Sequence, residues 1–225
     1  MANSFSLASI TSHALILLLL IHFNNLAAKH SHNNNNNSHR HRDRASSHHP
    51  GGSNPRLHQA FIALQAWKRA IQSDPNNFTT NWIGPSVCNY TGVYCAPSLK
   101  DNKTRVVAGI DLNHGDIAGS LPDELGLLTD LALIHLNSNR FCGVVPSTLS
   151  NLSLLYELDL SNNRLVGPFP AVVLSLPTLN YLDLRYNNFE GPIPPQLFAK
   201  KIDAVFLNDN RFTKFSFPSS ISGTY

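Results

Sequence analysis

Four stretches decide the fold: LALIHLNSN (131–139), LYELDLSNN (155–163), LNYLDLRYN (179–187) and IDAVFLNDN (202–210). Each matches the template LxxLxLxxN, and a degenerate first copy, VAGIDLNHG (107–115), carries Gly115 where the others carry Asn. The starts at 107, 131, 155 and 179 are 24 residues apart, and the last step, to 202, is 23. Every copy runs on to a proline, at 122, 146, 170, 194 and 218, and Gly119, Gly143, Gly167 and Gly191 stand three residues before the first four. A fixed period of this length marks stacked coils, each burying its apolar face only against its neighbours.

The leucines of xxLxL are expected to point inward from a short strand, and neighbouring copies to pair those strands into a parallel sheet on a concave face. Asn139, Asn163, Asn187 and Asn210 are expected to turn inward and bond backbone groups of adjacent coils, satisfying polar groups that a bare turn would bury unpaired. Gly permits the tight turn, and Pro stiffens the return stretch while excluding a central-strand hydrogen bond there. The fold class is therefore an α/β solenoid of about five coils over residues 106–225. The fifth copy lacks the turn glycine and ends in FTKFSFPSSISGTY, which reads as a truncated array without a polar cap.

Upstream, LHQAFIALQAWKRAI (57–71) places Leu57, Phe61, Leu64, Trp67 and Ile71 at helical spacing, and Asp74-Pro75 is expected to close that helix. Trp82 and the pair Cys88 and Cys95, with six residues between the two cysteines, follow. A helix and a disulfide-closed loop over 57–105 would cover the apolar edge of the first coil, and in an oxidising compartment that pair is a bridge before it is a metal or redox site.

The N-terminal 56 residues read differently. ALILLLLI (14–21) is too short to span a bilayer but suits the apolar core of a secretory signal peptide, with LAA (26–28) offering a cleavage site, so residues 1–28 are assigned to export and no membrane span is expected. Residues 29–56 are His-, Asn- and Arg-rich and cannot bury a core. Six histidines there (His30, His32, His39, His41, His48 and His49) suit either metal binding or a titrating soluble linker, and no fixed ligand geometry favours a metal. The whole chain has 225 residues and a formal net charge of +3. This segment holds five basic residues against Asp43, whereas 106–225 hold 7 basic against 11 acidic, so the repeats are acidic and unsuited to nucleic acid. Sequons at Asn36, Asn77, Asn89, Asn102 and Asn151 fit an extracellular glycoprotein.

On each strand, residues alternating with the inward leucines face outward. Three columns follow from the period: Gly109, Leu133, Glu157, Tyr181 and Ala204; Asp111, His135, Asp159, Asp183 and Phe206; and Asn113, Asn137, Ser161, Arg185 and Asn208. Asp111, His135, Glu157, Asp159, Tyr181, Asp183, Arg185, Tyr186 and Phe206 are the candidate ligand-binding residues, an acidic patch with aromatic neighbours suited to a cationic peptide. Cys142, in RFCGVVP, is the odd cysteine, expected near the surface; it serves either an intermolecular disulfide linking a homodimer or an inert, reduced position. His114 and His135 lie near Asp111 and Asp116, yet no nucleophile with base and oxyanion donors is evident, nor a phosphate-cradling or zinc motif, so neither an enzyme nor a cofactor is expected.

The copies resemble the plant-type leucine-rich repeat, and the stretch from AFIALQAWKRAIQSDPNNFTTNWIGPSVCNYTGVYCAP (60–97) through VVAGIDLNHGDIAGSLPDELGLL (106–128) resembles the N-terminal half of a leucine-rich repeat extensin. That resemblance covers 57–221. It implies a secreted, cell-wall protein whose repeats bind cysteine-rich peptides of the rapid alkalinization factor class, and a role in wall formation and growth control. Members carry further repeats and a Ser-Pro-rich wall-anchoring tail, neither of which is in this sequence. An inhibitor of wall-degrading polygalacturonases and a structural wall glycoprotein are the competing readings.

Overall fold

The computed structural model describes residues 54–213. The signal segment, the six histidines, Asn36 and Pro218 lie outside them.

The described chain opens on helix α1 (Pro55–Ala70). Asn54 caps it, its side chain accepting from the amides of Arg56 and Leu57, and Pro55 needs no hydrogen bond in the first turn. The helix thus starts two residues before the apolar periodicity sets it. Arg56, at the end of the cationic segment, reaches from it to Ser98 at 2.6 Å and to Asp130 at 3.4 Å. At the other end Asp74-Pro75 is not the stop. The chain leaves the helix at Ile71 and enters strand β1 (Ile71–Ser73), antiparallel to β4 (Ala118–Ser120). Asp74 instead ties the following turn, accepting from the amides of Phe78 and Thr79. Trp67 and Trp82 are buried edge to face with ring centroids 5.9 Å apart, and Trp82 stacks on Tyr90. Cys88 and Cys95 are bridged. A short strand, β2 (Val93–Pro97), then pairs antiparallel with β3 (Arg105–Asp111), so the cap finishes one edge of the concave sheet.

From β3 onward the coils repeat. β5 (Leu133–His135), β7 (Glu157–Asp159), β9 (Tyr181–Asp183) and β11 (Ala204–Phe206) add to β3 in parallel, the first three in the register the 24-residue period dictates and β11 in that of the 23-residue last step. Ile110, Ile134, Leu158 and Leu182 point into one continuous core. The return stretch holds something the repeat pattern does not announce. A second sheet runs β1-β4-β6-β8-β10-β12, the last four strands being β6 (Arg140–Gly143), β8 (Arg164–Pro168), β10 (Asn188–Pro192) and β12 (Arg211–Thr213). The repeat prolines 122, 146, 170 and 194 fall just beyond these strands, so they end the pairing rather than prevent it. Short helical turns then lead back, among them α2 (Val172–Ser175) and α3 (Gln196–Ala199).

The asparagine ladder holds the coils in register. Asn163 donates to the carbonyls of Leu136, Leu160 and Ser161 and accepts from the amide of Phe141. Asn139 makes the equivalent bonds in the coil before, and Asn187 and Asn210 make them in the two coils after. Gly115 departs from Asn for a reason that the structure supplies: a Cβ there would lie 3.0 Å from Asn139 Oδ1 and 2.9 Å from the side chain of Ile117. The cap's Asn76 donates to the Gly115 carbonyl instead. Gly119 likewise serves close approach, since a Cβ there would lie 2.8 Å from Ile71 Cα on β1.

Candidate functional site: the concave face

The three outward columns stand side by side as the sheet register requires, with Asp111, His135, Asp159, Asp183 and Phe206 paired strand to strand. The column that begins at Gly109 is closed off at its start. Gly109 has no side chain, so Tyr94 on β2 packs over it onto Leu133, which is fully buried together with Ala132. Tyr94 was missing from the sequence columns, although the alternation of buried Val93 and outward Tyr94 was there to be read. Burial and the charge of Asp111 push the Tyr94 phenol up to about 12.

The centre of the face is an imidazole among carboxylates. His135 is 9% exposed, and its Nε2–H donates to Glu157 Oε2 at 2.8 Å. A carboxylate only accepts, which fixes that proton on Nε2. Burial pulls the imidazole down, but the bond and charge of Glu157, with the charges of Asp111 and Asp159, outweigh it and leave His135 above its ordinary value. Burial, aided by the charge of Asp183, likewise holds Asp159 above the usual carboxylate range, against the bonds from Ser161 and the charge of His135.

These carboxylates also shape the backbone. Asp111, Asp159 and Asp183 each accept from the amide two residues on, at 2.9 to 3.0 Å. His135 cannot do so, and the Asn137 amide turns to Asn113 Oδ1 of the preceding coil at 2.7 Å. Ser161, buried beneath the face, links the coils further by accepting from Asn137 Nδ2 and donating to Asp159.

Toward β11 the expected acidic patch is corrected. Asp183 is 1% exposed, and Arg185 grips both of its oxygens at 2.6 to 3.1 Å, so it offers no free charge. The same guanidinium lies over the Phe206 ring, 4.7 Å from its centroid, and the Tyr181 and Phe206 rings are 5.7 Å apart. Burial, with the charges of Asp183 and Asp159, pushes the Tyr181 phenol up to about 12. Tyr186 is not on the strand: it sits in the turn with φ +54° and an exposed ring. The face therefore divides into an acidic centre at Asp111, Glu157 and Asp159 and an aromatic–guanidinium platform at Tyr181, Arg185 and Phe206.

Elsewhere, Asn77, Asn89, Asn102 and Asn151 lie exposed on the cap and the coils. Cys142 is a half-buried free thiol on β6, between Ser120 and Arg164. A cavity of about 230 Å³ opens between α1 and the first coil, lined in part by Arg56, Gln59, Val107, Leu128 and Asp130, away from the columns. Among the described residues no group of three His, Cys, Asp or Glu side chains could hold a metal, and no helix is long and apolar enough to cross a membrane.

The cap and the coils each match a known family: the leucine rich repeat N-terminal domain over residues 58–96, and the leucine rich repeat over 129–189. Leucine-rich repeat extensin-like protein 3 of Arabidopsis thaliana is 72% identical over 167 residues, 74% of this chain and 22% of that protein. The chain belongs to the leucine-rich repeat extensin-like family. It spans about a fifth of the length of that relative. Solved structures agree with the extensin-like chain's fold. The PEPR1–AtPEP1 structure aligns at 30% identity with a TM-score of 0.61, covering 68% of this chain and 21% of that one. The Arabidopsis receptor kinase HAESA ectodomain, solved with an IDA peptide hormone ligand, aligns at 28% identity and a TM-score of 0.59, covering 70% and 26%.

Proposed function

We propose that this extensin-like chain is a secreted, wall-associated repeat module that binds a cationic cysteine-rich signalling peptide of the rapid alkalinization factor class on its concave face, and acts through it in wall formation and growth control. The observation that carries the reading is the juxtaposition of the acidic centre with the aromatic–guanidinium platform on adjoining coils. Basic side chains of a peptide fit the first, and its apolar side chains fit the second. The HAESA ectodomain, which shares the fold, holds a peptide hormone. Glycans on Asn77, Asn89, Asn102 and Asn151, contact with wall components, and a Cys142-linked dimer are further parts of the proposal.

A pull-down of secreted plant proteins with the full chain tests it, read by mass spectrometry and repeated with Asp159→Asn and Phe206→Ala. Recovery of a basic cysteine-rich peptide that both substitutions weaken is the expected result. Recovery of an intact polysaccharide hydrolase, unaffected by either substitution, would overturn the reading in favour of an enzyme inhibitor.

A further inference from the structure

We infer that His135 makes cation binding at the concave face depend on pH, with loss of its proton strengthening the binding. The inference rests on the cationic-ligand reading of this face.

His135 occupies the middle of its column, one strand from Asp111 on β3 and one strand from Asp159 on β7. Glu157, also on β7, takes its ring N–H at 2.8 Å. Each coil packed against the His135 coil thus turns a carboxylate toward the ring. Beyond Asp111 stands Tyr94 on β2; beyond Asp159, on β9, stand Tyr181, Asp183 and Arg185. Among the described residues of the three columns, Arg185 is the other cation, and Asp183 already holds it. The imidazolium is therefore the counterion of the central carboxylates. With Asp111, Glu157 and Asp159 ionised, the centre carries −2 when His135 is protonated and −3 when it is neutral.

A cationic side chain entering this centre competes with that proton for the same carboxylates. Linkage makes the competition reciprocal: bound cation lowers the affinity of His135 for its proton, and the proton lowers the affinity for cation. Each unit by which the ligand depresses the imidazole corresponds to about tenfold in affinity. The ring is held by a hydrogen bond and scarcely exposed, so the ligand acts on it through the carboxylates without touching it.

Tetra-arginine, titrated calorimetrically into the full chain at a series of pH values from 5.5 to 8, is the probe. Wild type is expected to bind at least about threefold more tightly at the highest pH than at the lowest. His135→Gln keeps a donor for Glu157 but cannot titrate, and loses most of that rise; every other histidine of the chain is common to both proteins. Glu157→Gln frees the imidazole from its strongest anion and moves the midpoint of the rise to lower pH, which decides the matter should His135→Gln fail to fold. An equal rise in wild type and His135→Gln, or an unmoved midpoint in Glu157→Gln, would overturn the switch and leave the ligand reading intact. No binding to wild type at any pH of the series would overturn both.

Discussion

Arg185 encloses the carboxylate of Asp183, two residues before it, donating from Nε and Nη2 to both oxygens while its own backbone amide bonds Oδ1. Asp183 is almost fully buried; Arg185 is about a third exposed and rests on Phe206 from the next coil. The arrangement settles two problems at once. A carboxylate between Asp159 and the last described coil receives its counterion from its own coil, and the exposed ring of Phe206 receives a cover.

Removing the cation leaves a buried carboxylate without its counterion, which costs more than a surface ion pair is worth. Arg185→Ala is expected to cost about 1–3 kcal/mol, discounted for the exposed side of the guanidinium. Arg185→Lys recovers only part, because a single ammonium cannot match the two-pronged contact. Phe206→Ala costs about 1 kcal/mol, the range of a partly exposed cation–π contact. Urea unfolding midpoints check the order. A lysine variant as stable as wild type would show that the fork geometry contributes nothing.

The Asp183–Arg185 pair was not legible in the sequence, and the reason is physical. A period fixes which residues share a column, and the three columns came out in the register observed. It does not fix which column neighbours pair: Arg185 could have faced solvent, leaving Asp183 part of an acidic patch. The ladder asparagines were legible because position and chemistry agree, an amide being able both to donate and to accept in a buried turn. Other features were hidden by composition. The start of α1 at Asn54-Pro55 lay inside a polar segment that buries no core. The left-handed turn before each ladder position falls on His114, Ser138, Asn162, Tyr186 and Asp209; His, Asn and Asp adopt that region more readily than most residues, but Ser138 and Tyr186 do not, so no single residue type announced it. The second sheet is hidden in the sequence because its strands are short and β8 and β10 end in Gly-Pro, residues that argue against strands when read alone.

The ladder itself carries a position-dependent prediction. Asn163 makes three donor bonds and accepts one, all within the core, joining the coil before it to its own. Asn163→Ala leaves the Phe141 amide and the Leu136 and Leu160 carbonyls short of partners, each loss costing about 1 kcal/mol or more, for about 2–4 kcal/mol together. Asn210→Ala removes the same pattern from the last described coil, where the site is half-buried and water replaces part of it. Its expected cost is about half as large. Chemical denaturation of the two variants compares them directly; equal losses would mean that burial does not govern the ladder's contribution.

His135 ties stability to pH, and the sign follows from the direction of its shift. The Glu157 bond, together with the charges of Asp111 and Asp159, leaves the folded imidazole above its ordinary value despite burial. A group that holds its proton more tightly in the folded state stabilises that state when protonated. The contribution is fully present below about pH 6.5, the value of an unfolded histidine, and is lost as pH rises through the higher folded value. The urea midpoint of wild type is therefore expected to fall across this window relative to that of His135→Gln, which has no proton to lose. The difference between the two proteins cancels the titration of groups that do not interact with His135. Direct observation of the His135 ring by NMR supplies the second check: an imidazole titrating below about 6.5 would reverse the sign and show that burial outweighs the Glu157 carboxylate.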